Sequence, residues 1–242
     1  MLFDGTIPAS AADIVLEQLE VEENAGLSDW QRARLGKITA SRCGLVKKLR
    51  SGEWGETALS YLYDLIGEHL TGEPSQTFNG NDATEWGNEY EAEAIEAYTK
   101  RTGRKVKTGQ NFIQHPEFQF VGGTPDGLVG EKGIVEVKCP YNFKNHLRTV
   151  INRMVPEEYR AQVHGHLWLS GRQWCDFVSY DPRIPKSHPA RLVIVRVERN
   201  ALILNDLNNT IGEFHDLLIK KLAALKVKPG KKLNSIQTTT TT

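Results

Sequence analysis

The stretch GGTPDGLVGEKGIVEVKCP, residues 122–140, carries two short runs of strand-forming residues bounded by Gly and Pro turns. Its β-branched run predicts a strand over Gly133–Cys139, preceded by a short one at Leu128–Val129. In an extended segment alternate residues share a face. Val135, Val137 and Cys139 then form a core face, while Ile134, Glu136 and Lys138 point the other way. Glu136 and Lys138 would lie ~7 Å apart along the strand. Asp126 sits in the turn Thr124-Pro125-Asp126-Gly127, ten positions before Glu136. A hairpin here would return Asp126 to the side of Glu136. A Glu-x-Lys on a strand is by itself most often a surface ion pair, worth about 0.2–1 kcal/mol. The Pro-Asp turn at this spacing points to more.

Outward from this stretch, punctuation and periodicity predict helices near residues 9–20, 30–50 and 57–71, then a longer one over Asp82–Thr102. The β-rich middle adds strands at Lys105–Gln114 and Phe118–Gly122. Pro156 opens a further helix, since proline is tolerated at a first helical position, and Gly171 closes it. Strands follow at Trp174–Tyr180 and Arg191–Arg196. The last helix, Leu202–Leu225, has Leu207, Ile211, Phe214, Leu218 and Leu222 along one stripe. Helices around a central mixed sheet make an α/β domain. It is read as a single domain over residues 1–227, and residues 228–242, rich in Lys and Thr, as a disordered polar tail.

The 242 residues are 39% hydrophobic and 25% charged, an ordinary globular composition able to bury a core. No run approaches the ~18 apolar residues of a membrane helix, and the N-terminus does not read as a secretory signal. Cys43, Cys139 and Cys175 show no paired spacing, which argues against a disulfide framework, a structural zinc or a four-cysteine iron–sulfur cluster. A reducing cytoplasm is the expected compartment. Thirty basic residues balance thirty acidic ones. Yet from Trp30 to Gly52 there are seven Lys or Arg and no acid, consistent with either a solvated helix face or an anion-binding surface.

The residue types fit phosphodiester hydrolysis. That reaction needs a water made nucleophilic near neutral pH and a clamp for charge on the phosphate. Mg2+ supplies both and takes hard oxygen ligands, for which Asp126 and Glu136 are suited. A neighbouring lysine, Lys138, can orient the water and offset phosphate charge. In the helix EWGNEYEAEAIEAY, residues 85–98, the apolar arc comprises Trp86, Tyr90, Ala94, Ala97 and Tyr98. Glu85, Glu89 and Glu96 fall opposite it, with Glu93 on the border, and all four read as solvated. Glu91 instead projects toward the packed side, where a carboxylate is costly unless paired or metal-bound. It is a candidate fourth member of the site, with a buried salt bridge as the alternative.

These features resemble the PD-(D/E)xK nuclease superfamily, and within it the lambda-type exonuclease (viral recombinase) family. The matching pieces are RLGKITAS (34–41), WGNEYEAEA (86–94), TPDG (124–127), VEVKCP (135–140), YRAQVHGHLW (159–168) and YDPR (180–183). They occur in the family's order, over most of residues 30–225. The resemblance implies a restriction-endonuclease-like core in which Asp126, Glu136, the Val137 carbonyl and Glu91 bind Mg2+. Two ions per site are implied, with Mn2+ as a substitute. Lys138 then acts on the water, and Gln162 orients the lysine or the nucleophile. Arg34 and Ser41 would form a 5′-phosphate pocket, with Trp30 near the DNA or anchoring the core. His164 and His166 read as structural, and YDPR as a turn without a clear role.

The implied activity is a 5′-to-3′ exonuclease on double-stranded DNA ends, releasing mononucleotides and leaving a 3′ overhang. The implied setting is a phage or prophage recombination system in a bacterial cell. Partners would be a single-strand annealing protein and two further copies in a homotrimeric ring, in which only the lining need be basic. The metal site alone does not separate this from a PD-(D/E)xK endonuclease. A catalytically lapsed DNA-end-binding scaffold has no reason to keep Glu91, Asp126, Glu136 and Lys138 together. The first thirty residues and the tail show no match to the family.

Overall fold

The computed structural model describes residues 27–75 and 82–226. The helix read at 9–20 and the polar tail lie outside them. Helix α1 (Asp29–Arg34) opens with a capping box in which Ser28 and Gln31 satisfy each other's backbone N–H groups. Then follow β1 (Ile38–Thr39), a 3₁₀ turn (Ala40–Leu45), α2 (Glu56–Thr71) and α3 (Asp82–Thr102). The β-rich middle holds β2 (Val106–Lys107), β3 (Ile113–Gln114), β4 (Val121–Gly123), β5 (Gly127–Val129) and β6 (Gly133–Lys138). Helices α4 (Phe143–Asn152) and α5 (Glu157–Ser170) lead to β7 (Trp174–Tyr180), β8 (Leu192–Glu198) and α6 (Ala201–Ala224).

The main sheet has the order β2-β5-β6-β7-β8, antiparallel except for the parallel pair β6–β7. Helix α3 covers one face: Ala94 and Tyr98 pack on Val129, Val135, Val137, Val178 and Tyr180. Helix α5 covers the other, with Val163 and Leu167 against Ile134, Cys175 and Phe177. The second sheet, β1-β4-β3, packs with α2 and α6 in the largest cluster, where Tyr61, Leu65, Val121, Phe214 and Leu218 meet. The α/β architecture read from the sequence is the one observed. The expected stripe on α6 also faces the core, with Ile211, Phe214, Leu218 and Leu222 buried.

Three expectations are corrected. The single helix over 30–50 does not form: Gly36 takes a left-handed φ of 65°, and its N–H donates to Glu68 Oε2 at 2.7 Å. The chain then turns into β1, which pairs in parallel with β4, Ile38 opposite Val121 and Thr39 opposite Gly122. Second, α4 occupies residues left as connection, capped by the Asn142 side chain accepting from the Lys144 N–H at 3.0 Å. Third, the single strand expected over Lys105–Gln114 is two, β2 and β3, which join different sheets.

The second sheet admits no bulk at its centre. A Cβ at Gly122 would lie 2.2 Å from the Phe112 ring and 2.6 Å from the Ile113 carbonyl oxygen, and backbone cannot swing aside as a side chain can. Gly122→Ala is therefore expected to cost about 2 kcal/mol through overpacking. Urea unfolding should show this as a lower midpoint at unchanged slope; an unshifted midpoint would contradict it.

Candidate active site

The antiparallel register Gly127↔Val135 sets Asp126 directly across from Glu136. Asp126 Oδ2 accepts from the Val137 N–H at 2.7 Å, so the side chain extends the ladder one step beyond its last backbone pair. The hairpin read from the Pro-Asp turn thus forms as expected.

Glu136 has no exposed surface. Its Oε1 receives the Lys138 ammonium at 2.7 Å and the Gln162 amide of α5 at 2.5 Å. Its Oε2 is buried without a hydrogen-bond partner. The nearest candidate, His166 Nε2 at 3.4 Å, makes no hydrogen bond, and neither ring nitrogen has a partner. Burial, helped by Lys138 and Arg34, pushes His166 down to about 3, so the contact is with a neutral imidazole and is not an ion pair. Of the two histidines of this helix, His164 is also buried and is held below its ordinary value by burial and by Arg160.

The carboxylates share one field. Burial and then Glu136 push Asp126 up to about 7, against the Lys138 charge and the Val137 N–H. Glu91, half-buried on α3, is raised by burial and by Asp126 and lowered by Lys138, so the helix carboxylate does face the strand pair. Burial opposes the charge on Lys138, but Glu136 and Asp126 outweigh it and hold the ammonium above its usual range. Asp126, Glu136, Lys138 and Gln162 are therefore brought together, and Glu91 lies in the field of Asp126 and Lys138.

Among the described residues no three His, Cys, Asp or Glu side chains gather into a ready-made metal cage. Mg2+ keeps several waters and is commonly held by one or two carboxylates plus substrate oxygens. The donor set fits: two adjacent acidic side chains, a buried carboxylate oxygen lacking a partner, and the Val137 carbonyl between the two functional residues of β6.

The basic segment resolves into separate partners. Arg42 pairs with Asp64 at 2.8 Å and Lys48 with Glu213, so acids distant in sequence neutralise these charges. Arg34 instead donates to Ser41 Oγ at 2.9 Å, and Ser41 Oγ lies 3.1 Å from Thr39 Oγ1. Burial lowers Arg34, while Tyr61 and Glu136 pull the other way. Trp30 is not a core anchor: it is 46% exposed, with the Arg34 guanidinium 4.4 Å from its ring centroid. An arginine fork and two hydroxyls thus lie together, with the guanidinium in the field of Glu136.

Two features were not anticipated. Glu93, read as solvated, accepts from Tyr180 Oη at 2.7 Å and from Arg191 at 2.8 Å, tying α3 to β7 and to the residue before β8. Arg183 of the YDPR segment binds Asp181 and the backbone just beyond Lys138. The YDPR match was the available signal for the second; nothing local signals the first.

The fold has counterparts among known proteins. The chain is similar to an alkaline exonuclease, LHK-Exo, from Laribacter hongkongensis, with 34% identity and a TM-score of 0.73, covering 82% of this chain and 95% of that one. The same protein in complex with dAMP gives 35% identity and a TM-score of 0.74. A phage-related exonuclease from Haemophilus somnus 129PT, at 19% identity and a TM-score of 0.62, shares the fold. The uncharacterized protein YqaJ of Bacillus subtilis (strain 168) is 28% identical over 105 residues, a match spanning 43% of this chain and 32% of that protein. The restriction-endonuclease-like core is consistent with these likenesses. A profile of the YqaJ-like viral recombinase domain matches residues 29–173, more than half of the 242 residues. The chain belongs to the YqaJ-like viral recombinase family.

Proposed function

We propose that this chain is a Mg2+-dependent exonuclease that digests duplex DNA from a 5′ end, releasing mononucleotides and leaving a 3′ single-stranded overhang. The observation that supports the reading is the buried Glu136 carboxylate, which holds Lys138 and Gln162 on one oxygen, stands opposite Asp126 and lies in the field of the Arg34 guanidinium. A terminal phosphate held by Arg34 and Ser41 would set the adjoining phosphodiester against these carboxylates. The likeness to the Laribacter alkaline exonuclease supports it, and that protein's complex holds dAMP, a deoxynucleoside monophosphate of the proposed product class.

Asp126, Glu136, the Val137 carbonyl and Glu91 would hold Mg2+, or Mn2+ in its place, with room in the donor set for two ions. When bound, such an ion supplies Lewis acidity at the phosphate and lowers the pKa of water. The chain's own groups do the rest. The Lys138 ammonium orients the attacking water and offsets charge on the phosphate. Gln162 fixes Glu136 Oε1, while Oε2 keeps its lone pairs free of any hydrogen-bond donor. Arg34 and Ser41 grip the terminal phosphate, a guanidinium fork and hydroxyl being a strong charge-assisted receptor, and Trp30 keeps that fork in place. Among the described residues no helix is long and apolar enough to cross a membrane. The reading extends to a homotrimeric ring that threads DNA and to a phage single-strand annealing protein as partner.

Three expected outcomes test it. Linear 5′-phosphorylated duplex should be degraded with Mg2+ and spared by EDTA, and Lys138→Ala should lower the rate by about a hundredfold or more. Cutting of closed circular DNA would favour an endonuclease, and end binding without cutting a scaffold. Arg34→Ala should slow digestion of phosphorylated ends by about 10- to 100-fold, the worth of a charge-assisted hydrogen bond, while leaving 5′-hydroxyl ends nearly unchanged. Equal loss on both ends would argue against the phosphate pocket. Light scattering at micromolar concentration should give a trimer; a monomer would sink the ring.

A further inference from the structure

The ladder between β6 and β7 runs from Gly133↔Trp174 to Lys138↔Ser179 and stops there. Two residues on, Pro140 has no N–H with which to continue it. The end of the strand that carries Lys138 would then be free to fray, and the carbonyls of Pro140 and Tyr141 would lack donors. Arg183 supplies them. Its Nη2 donates to the Pro140 carbonyl at 3.3 Å and its Nη1 to the Tyr141 carbonyl at 3.1 Å. Its Nε and Nη2 fork onto Asp181 at 2.9 and 2.6 Å. The Asp181 side chain is fully buried. Its backbone N–H donates to the Arg191 carbonyl at 3.0 Å, so the acid is anchored at the end of β7. The guanidinium also lies 4.9 Å from the Trp86 ring centroid and 5.4 Å from that of Phe143. Trp86 belongs to α3, five residues before Glu91.

We infer that Arg183, held by Asp181, is a positioning residue for the reaction: it locks the backbone just beyond Lys138 to the end of β7 and to the start of α3. The inference rests on the nuclease reading above. Four donor positions of the guanidinium's five N–H groups are already used within the protein, which leaves little for a DNA phosphate although the side chain is 41% exposed. Lysine cannot replace it, because an ammonium has no planar fork to serve a carboxylate and two carbonyls together.

Arg183→Lys keeps the charge beside buried Asp181. The double variant Asp181→Asn, Arg183→Gln removes both charges, so that no unpaired carboxylate is left buried. Each should fold, and each should lower kcat by about 10- to 100-fold, the range for a misplaced or unsupported catalytic group, with KM for DNA and its salt dependence unchanged. Hydrogen exchange of the peptide spanning residues 139–143 should quicken in both variants, with or without DNA. Unchanged kcat in a folded variant overturns the inference. A raised KM with an altered salt slope also overturns it, by making Arg183 a phosphate contact. Wild-type protein that degrades no DNA sinks the nuclease reading instead, and the exchange measurement then decides alone whether Arg183 holds the strand end.

Discussion

A carboxylate with no exposed surface, Glu136, is the constraint around which this molecule is arranged. Burying an ion costs several kcal/mol, offset only by close, well-formed partners. Glu136 has two, both on the same oxygen: the Lys138 ammonium from its own strand and the Gln162 amide from α5. The partners must come from different elements, because a strand can offer its own residue only at i±2. Helix α5 therefore has to lie against β6, and Val163 and Leu167 keep it there by packing on Ile134 and Phe177. The other face of β6 is closed by α3, which brings Glu91 into the field of Asp126 and Lys138. Core packing and site assembly are one process in this part of the chain.

The Arg34–Ser41 side is coupled to the same helix through small residues. A Cβ at Gly165 of α5 would lie 3.2 Å from the Ala40 Cβ, tighter than ordinary van der Waals contact, and one at Gly123 would lie 2.8 Å from the same methyl. Ala40 stands immediately before Ser41 and Gly123 three residues before Asp126. The turn bearing Ser41, the strand leading to Asp126 and the helix bearing Gln162 thus meet at one close-packed point. Interiors packed to this density transmit displacement rather than absorb it. The approach of the Ser41 turn to α5 and to the strand leading to Asp126 is therefore set by alanine and glycine.

Much of this was legible in the sequence where local signals and tertiary context agree. Pro156 and Gly171 bracket α5, the long periodicity over Asp82–Thr102 gives α3, and the Pro-Asp turn places Asp126 across from Glu136. The misreadings arise where a distant partner decides. Residues 30–50 are compatible with helix, but Ile38 and Thr39 find β4 far along the chain, and Gly36 bends the backbone to reach it. The charge run looked unpaired because Asp64 and Glu213 lie outside its window. Glu93 looked solvated because Arg191 is distant in sequence. Alternation along β6 puts Glu136 and Lys138 on one face, but periodicity alone cannot tell whether that face meets solvent or protein. Helix α4 was the avoidable miss, since Asn142 is a recognisable cap.

The free oxygen of Glu136 shows what the site asks of the fold. A buried acceptor left without a donor costs on the order of 1–3 kcal/mol, and a hydrogen bond from His166 would relieve it. His166 stands 3.4 Å away, yet it bonds neither here nor elsewhere. Its ring is kept neutral by burial and by the flanking Lys138 and Arg34 charges, so it cannot answer the carboxylate with a charge of its own. A fold selected for stability alone would close this gap with an amide or an apolar side chain. Here that buried oxygen is left without a donor, with a neutral imidazole beside it and the Lys138 ammonium on its sister oxygen. A neutral neighbour leaves that oxygen's charge uncompensated, as the proposed metal site would need.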